Sequence, residues 1–262
     1  MGKKDFKLDE VNSPGRYENM GDKLSFLQRL LGGMRAFFNG YRFINKHSLW
    51  RYSIIPAILS LLLGVTLIIL FYFLLSGLAD SLFSRDNTAG SIILYWMAKI
   101  FSIVISIFVT IYAYRSLSMI VVNPFLGPLL SQIEKILTGK SVEVTITKDI
   151  KNALTGAFIG IKFFIFEIFI LFLSLFTGPL SPVIVIWVEA YFLGRGTFDY
   201  LLEKHTKTLA ERKVRAKSYY PELQGLGLAH FFILMIPIVG IFIAPASSLT
   251  GAALIFYAAE DE

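Results

Sequence analysis

The chain contains no cysteine and only three histidines, His47, His205 and His230, in 262 residues. Disulfides and thiolate metal sites are excluded, and nothing about redox compartment follows from cysteine usage. The histidines are too scattered to suggest a metal centre, and the sequence implies no cofactor. Charge is also scarce, at 17% of residues, and none occurs from Tyr52 to Ala79 or from Leu223 to Ala259. A phosphate-binding GxxxxGK[ST] loop, a GxSxG elbow and an HExxH helix are all missing, so no catalytic residues are assigned. An ATP-driven pump within this chain is therefore not expected, flow following an existing gradient or proton coupling, and no nucleophile and base stand out for a lipid enzyme.

What is present is apolar sequence: 55% hydrophobic residues and a mean hydropathy of +0.63. The uncharged stretches exceed the roughly 20 residues that a helix needs to cross a bilayer, so lipid is part of the solvent. The net charge of +6 flanks these stretches, where Lys and Arg meet anionic headgroups. The basic-groove and base-stacking pattern of nucleic-acid modules is absent.

Residues 1–21 read as a disordered polar tail with Pro14 and Gly15, and residues 22–262 as a single membrane domain. No cleavable signal peptide is visible, because the first apolar run follows some fifty basic, mixed residues. From Asp22, the spacing of Leu24, Leu27, Leu30, Leu31, Met34, Phe37 and Phe38 predicts an amphipathic helix along the membrane surface. A first spanning helix is expected from about Leu49 to Gly77 with Pro56 near its start, and a second from about Ser91 to Tyr114, interrupted only by Lys99.

Ten Lys and Arg lie in residues 1–51 and one in residues 78–90. Basic loops stay in the cytoplasm, so the amino terminus belongs there. Arg115, Lys135, Lys140, Lys148 and Lys151, and later Arg195, Arg212 and Arg215, put the following segments on the same side, and the carboxyl terminus with them. Each remaining apolar region must then leave that side and return. The first, about Ala157 to Gly194, breaks at Thr177, Gly178, Pro179 and Pro182; the second, about Gly225 to Tyr257, breaks at Pro237, Gly240 and Pro245. Arms at Val183 to Leu193, Leu226 to Ile236 and Ala246 to Tyr257 would span only roughly 17 Å, so the hairpins read as re-entrant. Paired short segments broken by Gly or Pro are a pointer to a transport path. Six ordinary spans with proline kinks is the alternative. The expected fold is thus all-α integral membrane: two long transmembrane helices, two re-entrant helical hairpins and amphipathic surface helices.

Asn123 and Pro124 read as the N-cap and first residue of a helix ending at Gly139. Val142, Val144 and Ile146 alternate as a short extended segment. Glu203 to Tyr219 reads as one solvated helix with charges spaced four apart.

Three stretches resemble the CysZ/EI24 family. Asn123-Pro124-Phe125-Leu126-Gly127, continuing through Leu129, Gln132, Ile133 and Glu134 to Leu137-Thr138-Gly139, is similar to its PF-x-G-x-L segment and following helix. Met235-Ile236-Pro237, Gly240, Pro245 and Gly251-Ala252 resemble its C-terminal hairpin, preceded by Phe198-Asp199. Gly40-Tyr41-Arg42 through Ser48-Leu49-Trp50-Arg51 to Ile55-Pro56 resembles the start of its first long helix. The resemblance implies two spanning helices, two partly penetrating hairpins, a homo-oligomer in the bacterial inner membrane, and passage of sulfate for cysteine synthesis. The family's sulfate motif, Gly-Leu-Arg followed by a second Arg, is here Ser48-Leu49-Trp50-Arg51 and retains one arginine. Another oxyanion, or a non-transporting scaffold like the eukaryotic branch, is the alternative.

A helix starting near Ser48 would offer the backbone N–H groups of Leu49, Trp50 and Arg51 to an oxyanion, with the guanidinium of Arg51 and the field of Arg42 or Lys46 added. Equally, Ser48 caps the helix while Trp50 and Arg51 anchor it at the headgroups. Lys99 and Lys162 lie near helix ends and read as snorkelling. Glu167 and Glu189 lie deeper and are candidates to pair with Lys99, Lys162 or Arg115, or to carry protons. Glu134 reads as a structural ion-pair residue.

Overall fold

The computed structural model describes residues 25–83, 89–139, 175–206, 208–236 and 239–260, with scattered helical positions between 158 and 173. The amino-terminal tail, the alternating segment at Val142 to Ile146, Glu167 and Pro237 lie outside the described residues. The described residues are all-α, with no strand.

Helix α1 spans Phe26–His47. It starts where Ser25 and Gln28 cap each other reciprocally, the Gln28 N–H donating to Ser25 Oγ and the Ser25 N–H to Gln28 Oε1. Its buried stripe, Leu30, Gly33, Phe37, Gly40 and Ile44, follows helical spacing. That stripe packs against two later helices, so the amphipathic face expected to lie on lipid is divided: Leu30 and Phe37 enter a protein core, while Leu27, Leu31 and Phe38 remain exposed.

Helix α2, Ile54–Leu82, starts about five residues later than the sequence suggests because Leu49–Tyr52 forms a 3₁₀ turn. Pro56 sits in its first turn, where a missing N–H costs nothing. Helix α3, Ala89–Val122, runs well past Tyr114. At about 1.5 Å per residue the two are roughly 44 and 51 Å long. They pair antiparallel, Ser60 meeting Tyr114 at one end and Asp80 meeting Lys99 at the other.

Asn123–Leu126 form a 3₁₀ turn, so α4, Gly127–Thr138, begins four residues after the expected cap. It stops at Gly139, whose φ of +74° favours glycine. Helices α5 (Ser181–His205), α6 (Leu209–Ser218), α7 (Tyr220–Leu234) and α8 (Val239–Glu260) follow. The single helix expected from Glu203 to Tyr219 is interrupted: Thr206 is extended and Thr208 recaps the chain by accepting the Glu211 N–H.

Helices α1, α5, α7 and α8 form a compact body. Phe37, Phe43 and Ile44 pack with Phe198, Leu201, Leu223, Leu226 and Phe256, and α4 adds Leu129, Leu130 and Ile133. Two crossings bring backbones into direct contact. A Cβ on Gly225 would land in the Leu30 carbonyl, and one on Gly227 in the Ala190 carbonyl; small residues permit this approach in membrane bundles.

Four helical stretches among the described residues are long and apolar enough to cross a membrane: Ile54–Leu82, Gly90–Ile107, Phe176–His205 and Val239–Tyr257. The last two correct the expected arm lengths. Helix α5 continues beyond Gly194 and Arg195, and α8 runs through Pro245 without ending there. The helix continues through these residues, at Pro245 without the bond its missing N–H would have made, because packing in the body outweighs local propensity.

Candidate functional site: the elbow before the first long helix

Between α1 and α2 the chain turns sharply at Ser48, whose φ of 54° and ψ of 41° are left-handed. Its backbone N–H closes α1 onto the Asn45 and Ile44 carbonyls, and its hydroxyl makes no capping bond. Ser48 is thus the C-cap of α1, while Ser53 precedes α2. The positive end of the long helix therefore lies at Ile54, about one turn beyond the expected position.

The intervening turn is pinned from several sides. Leu49 is buried in the body core. Trp50 donates from Nε1 to Asn45 Oδ1 at 2.5 Å and meets the Tyr41 ring edge-on. Arg51 donates to the Tyr52 hydroxyl at 3.0 Å, with its guanidinium 4.8 Å from that ring's centre, and is itself exposed. Arg42 and Lys46 are exposed on the last turns of α1. Burial, with Lys46 as a second cause, lowers the pKa of His47 and favours its neutral form.

The hairpin breaks differ from one another. Gly178 has φ 57° and ψ −127°, a conformation open to glycine, and is followed by Pro179 and by Pro182 in the first turn of α5. The neighbouring Phe176, Leu180 and Val183 are exposed. Gly240 packs against the Ile233 and Leu234 backbone, beside exposed Met235, Ile236 and Val239. Pro245 lies inside α8.

Among the charges, Lys99 sits 2.6 Å from Asp80 and donates to Ser76 Oγ at 2.6 Å, rather than reaching past the helix end alone. Lys162 lies 4.4 Å from the centre of the Phe158 ring. Glu189 is buried in α5. Glu134 is 1% exposed, with Lys204 at 3.5 Å and His205 Nε2 at 3.4 Å; the Tyr257 hydroxyl lies 2.7 Å from the same imidazole nitrogen. Burial pushes the Glu134 carboxyl up, but His205, Lys204 and Tyr257 together outweigh it and hold it below the ordinary range.

Sequence reasoning missed two buried ion-pair groups. Arg29 forks onto Glu222 at 2.6 and 2.9 Å and also donates to the Ser218 carbonyl. Arg195 lies 3.0 Å from Asp199, and Arg212 lies 3.6 Å from Asp199 and 3.7 Å from Glu203. Arg195 and Arg212 had counted as basic flanks, yet both are buried. The four-residue spacing of Arg195 and Asp199 was the available signal.

A family model described as "Sulfate transporter CysZ/Etoposide-induced protein 2.4" matches residues 36–245, most of the chain. No curated protein matches it.

Proposed function

Since the chain belongs to the CysZ/EI24 family, we propose that this multi-pass membrane protein passes an inorganic oxyanion, sulfate first, across the inner membrane for sulfur assimilation. One observation carries the reading. Arg51 is exposed at the elbow that leads into α2, and among the described residues its guanidinium meets only Tyr52, no carboxylate. A planar fork so placed suits a tetrahedral oxyanion. Ser48, Leu49 and Trp50 shape the approach, and Arg42 and Lys46 supply field.

The path would run beside the hairpins. Helix α7 has 15 residues, roughly 22 Å, too short for a hydrocarbon core of about 30 Å. Its hairpin with α8 ends in exposed Met235, Ile236 and Val239, which suits a tip held within lipid. In the first hairpin α5 is long enough to cross, and exposed Phe176, Leu180 and Val183 suit a lipid setting for its broken start. Both termini are then cytoplasmic, and a homo-oligomer encloses the path.

Radiolabelled sulfate uptake into proteoliposomes should exceed that of empty vesicles. Arg51→Ala should lower it about tenfold or more, the scale of a lost charge-assisted hydrogen bond. Uptake equal to empty vesicles removes the proposal. One observation favours a non-transporting scaffold: Trp50, where the family motif carries its other arginine, is committed to Asn45 and Tyr41. Crosslinking to a stable protein partner, with no bilayer conductance, would select that reading.

A further inference from the structure

Helix α1 presents a second chemical face, opposite its buried stripe. Leu27, Leu31, Arg35, Phe38 and Arg42 recur every three or four residues along it, and all are exposed. The helix contains no Asp or Glu. Its other arginine, Arg29, is taken by Glu222. Among the described residues, Arg35 and Arg42 take part in no ion pair.

Neither water nor hydrocarbon alone suits such a face. Water leaves Leu27, Leu31 and Phe38 uncovered, and hydrocarbon leaves two guanidinium groups unsolvated. An amphiphile with a negative head and an apolar tail satisfies both. Arginine stems lie along apolar surface while the forked heads accept phosphate oxygens in matching geometry. The elbow at Ser48 carries α1 directly into α2, the most apolar of the candidate spans, so this face adjoins the bilayer surface.

We propose that the outer face of α1 is an anionic-phospholipid site, with phosphate headgroups at Arg35 and Arg42 and acyl chain over Leu31 and Phe38. The site does not include Arg51 and does not depend on oxyanion transport; Arg42, which also lends field to the elbow, is the residue the two share, and Arg35 belongs to the lipid site alone. It fixes the body against the leaflet from which α2 departs.

The test is native mass spectrometry of the full chain in detergent, with phosphatidylglycerol or phosphatidylcholine of matched chains. Phosphatidylglycerol should be retained in preference, and millimolar sulfate should not displace it. Arg35→Gln with Arg42→Gln should weaken phosphatidylglycerol binding about 30-fold, about fivefold per arginine, and leave phosphatidylcholine unchanged. Lys213→Gln, an exposed charge on α6, should have no effect. Equal retention of the two lipids, undiminished binding by the double variant, or an equal loss in the Lys213 variant overturns the proposal. Binding that requires removal of residues 1–24 would make that segment the occupant and also overturn it. A variant-free arm compares wild-type thermal unfolding in nanodiscs of the two lipids: higher stability with phosphatidylglycerol supports the site, and equal stability overturns it.

Discussion

The α2–α3 hairpin and the body of α1, α5, α7 and α8 meet the same requirement in opposite ways. Many of the described α2 and α3 side chains are apolar and exposed, Ile55, Phe73, Leu74, Ile93 and Phe101 among them. The pair is held by a narrow polar seam: Ser60 with the Tyr114 hydroxyl, Ser102 donating to the Leu75 carbonyl, and Lys99 with Asp80 and Ser76. The body buries large apolar side chains, brings backbones together at glycine and encloses several ion pairs. Where the surroundings are hydrocarbon, apolar exposure carries no cost and a few polar contacts set helix register. Where helices surround one another, close packing and paired charge dominate.

The sharpest way to break this contrast is to add bulk at glycine. Gly227→Leu forces the Ala190 backbone away and should abolish a monodisperse peak in size-exclusion chromatography. Gly77→Leu in α2, where an added Cβ meets nothing within 4 Å, should leave the peak unchanged. If both are tolerated, the body is looser than its crossings indicate.

A smaller effect is expected at Glu222, whose side chain is 2% exposed and paired with Arg29. Glu222→Ala should cost about 3 kcal/mol, because a partly buried guanidinium loses its partner, read as lowered thermal stability. Asp80→Ala, at the exposed end of the hairpin, should change stability much less.

The next effect is a pH dependence. The folded Glu134 carboxyl lies below its ordinary 4.5, so its contribution is present in full above that value and is lost as pH falls through the lower folded value. Thermal unfolding from pH 6 to pH 3 should therefore show an acid limb that Glu134→Gln flattens; an unchanged limb would show that other carboxylates set it. The smallest effect belongs to the seam. Tyr114→Phe should cost about 0.6 kcal/mol, the average for hydrogen bonds between membrane helices.

The sequence exposed the hairpin better than the body. Uncharged runs at Tyr52 to Ala79 and around Lys99 announce long apolar helices because crossing lipid demands length and composition, both local properties. Glycine and proline misled the reading elsewhere. Gly194 reads as the end of an apolar region and Pro245 as a break, yet helix continues through both, because neighbouring helices supply what local propensity withholds. At the elbow, Ser48, Leu49, Trp50 and Arg51 were singled out together, but the left-handed Ser48 and the 3₁₀ turn were not visible. Serine signals a cap without revealing which of two helices it closes.

The residues alone determined a predominantly helical membrane chain and its family, since hydropathy, charge distribution and short motifs are carried along the backbone itself. Only the tertiary structure decided which face of α1 enters the core, that Arg29 meets Glu222 and that Arg212 turns inward. Those outcomes join positions far apart in the chain, and the free energy that selects them exists only once the helices have approached closely enough to exclude solvent.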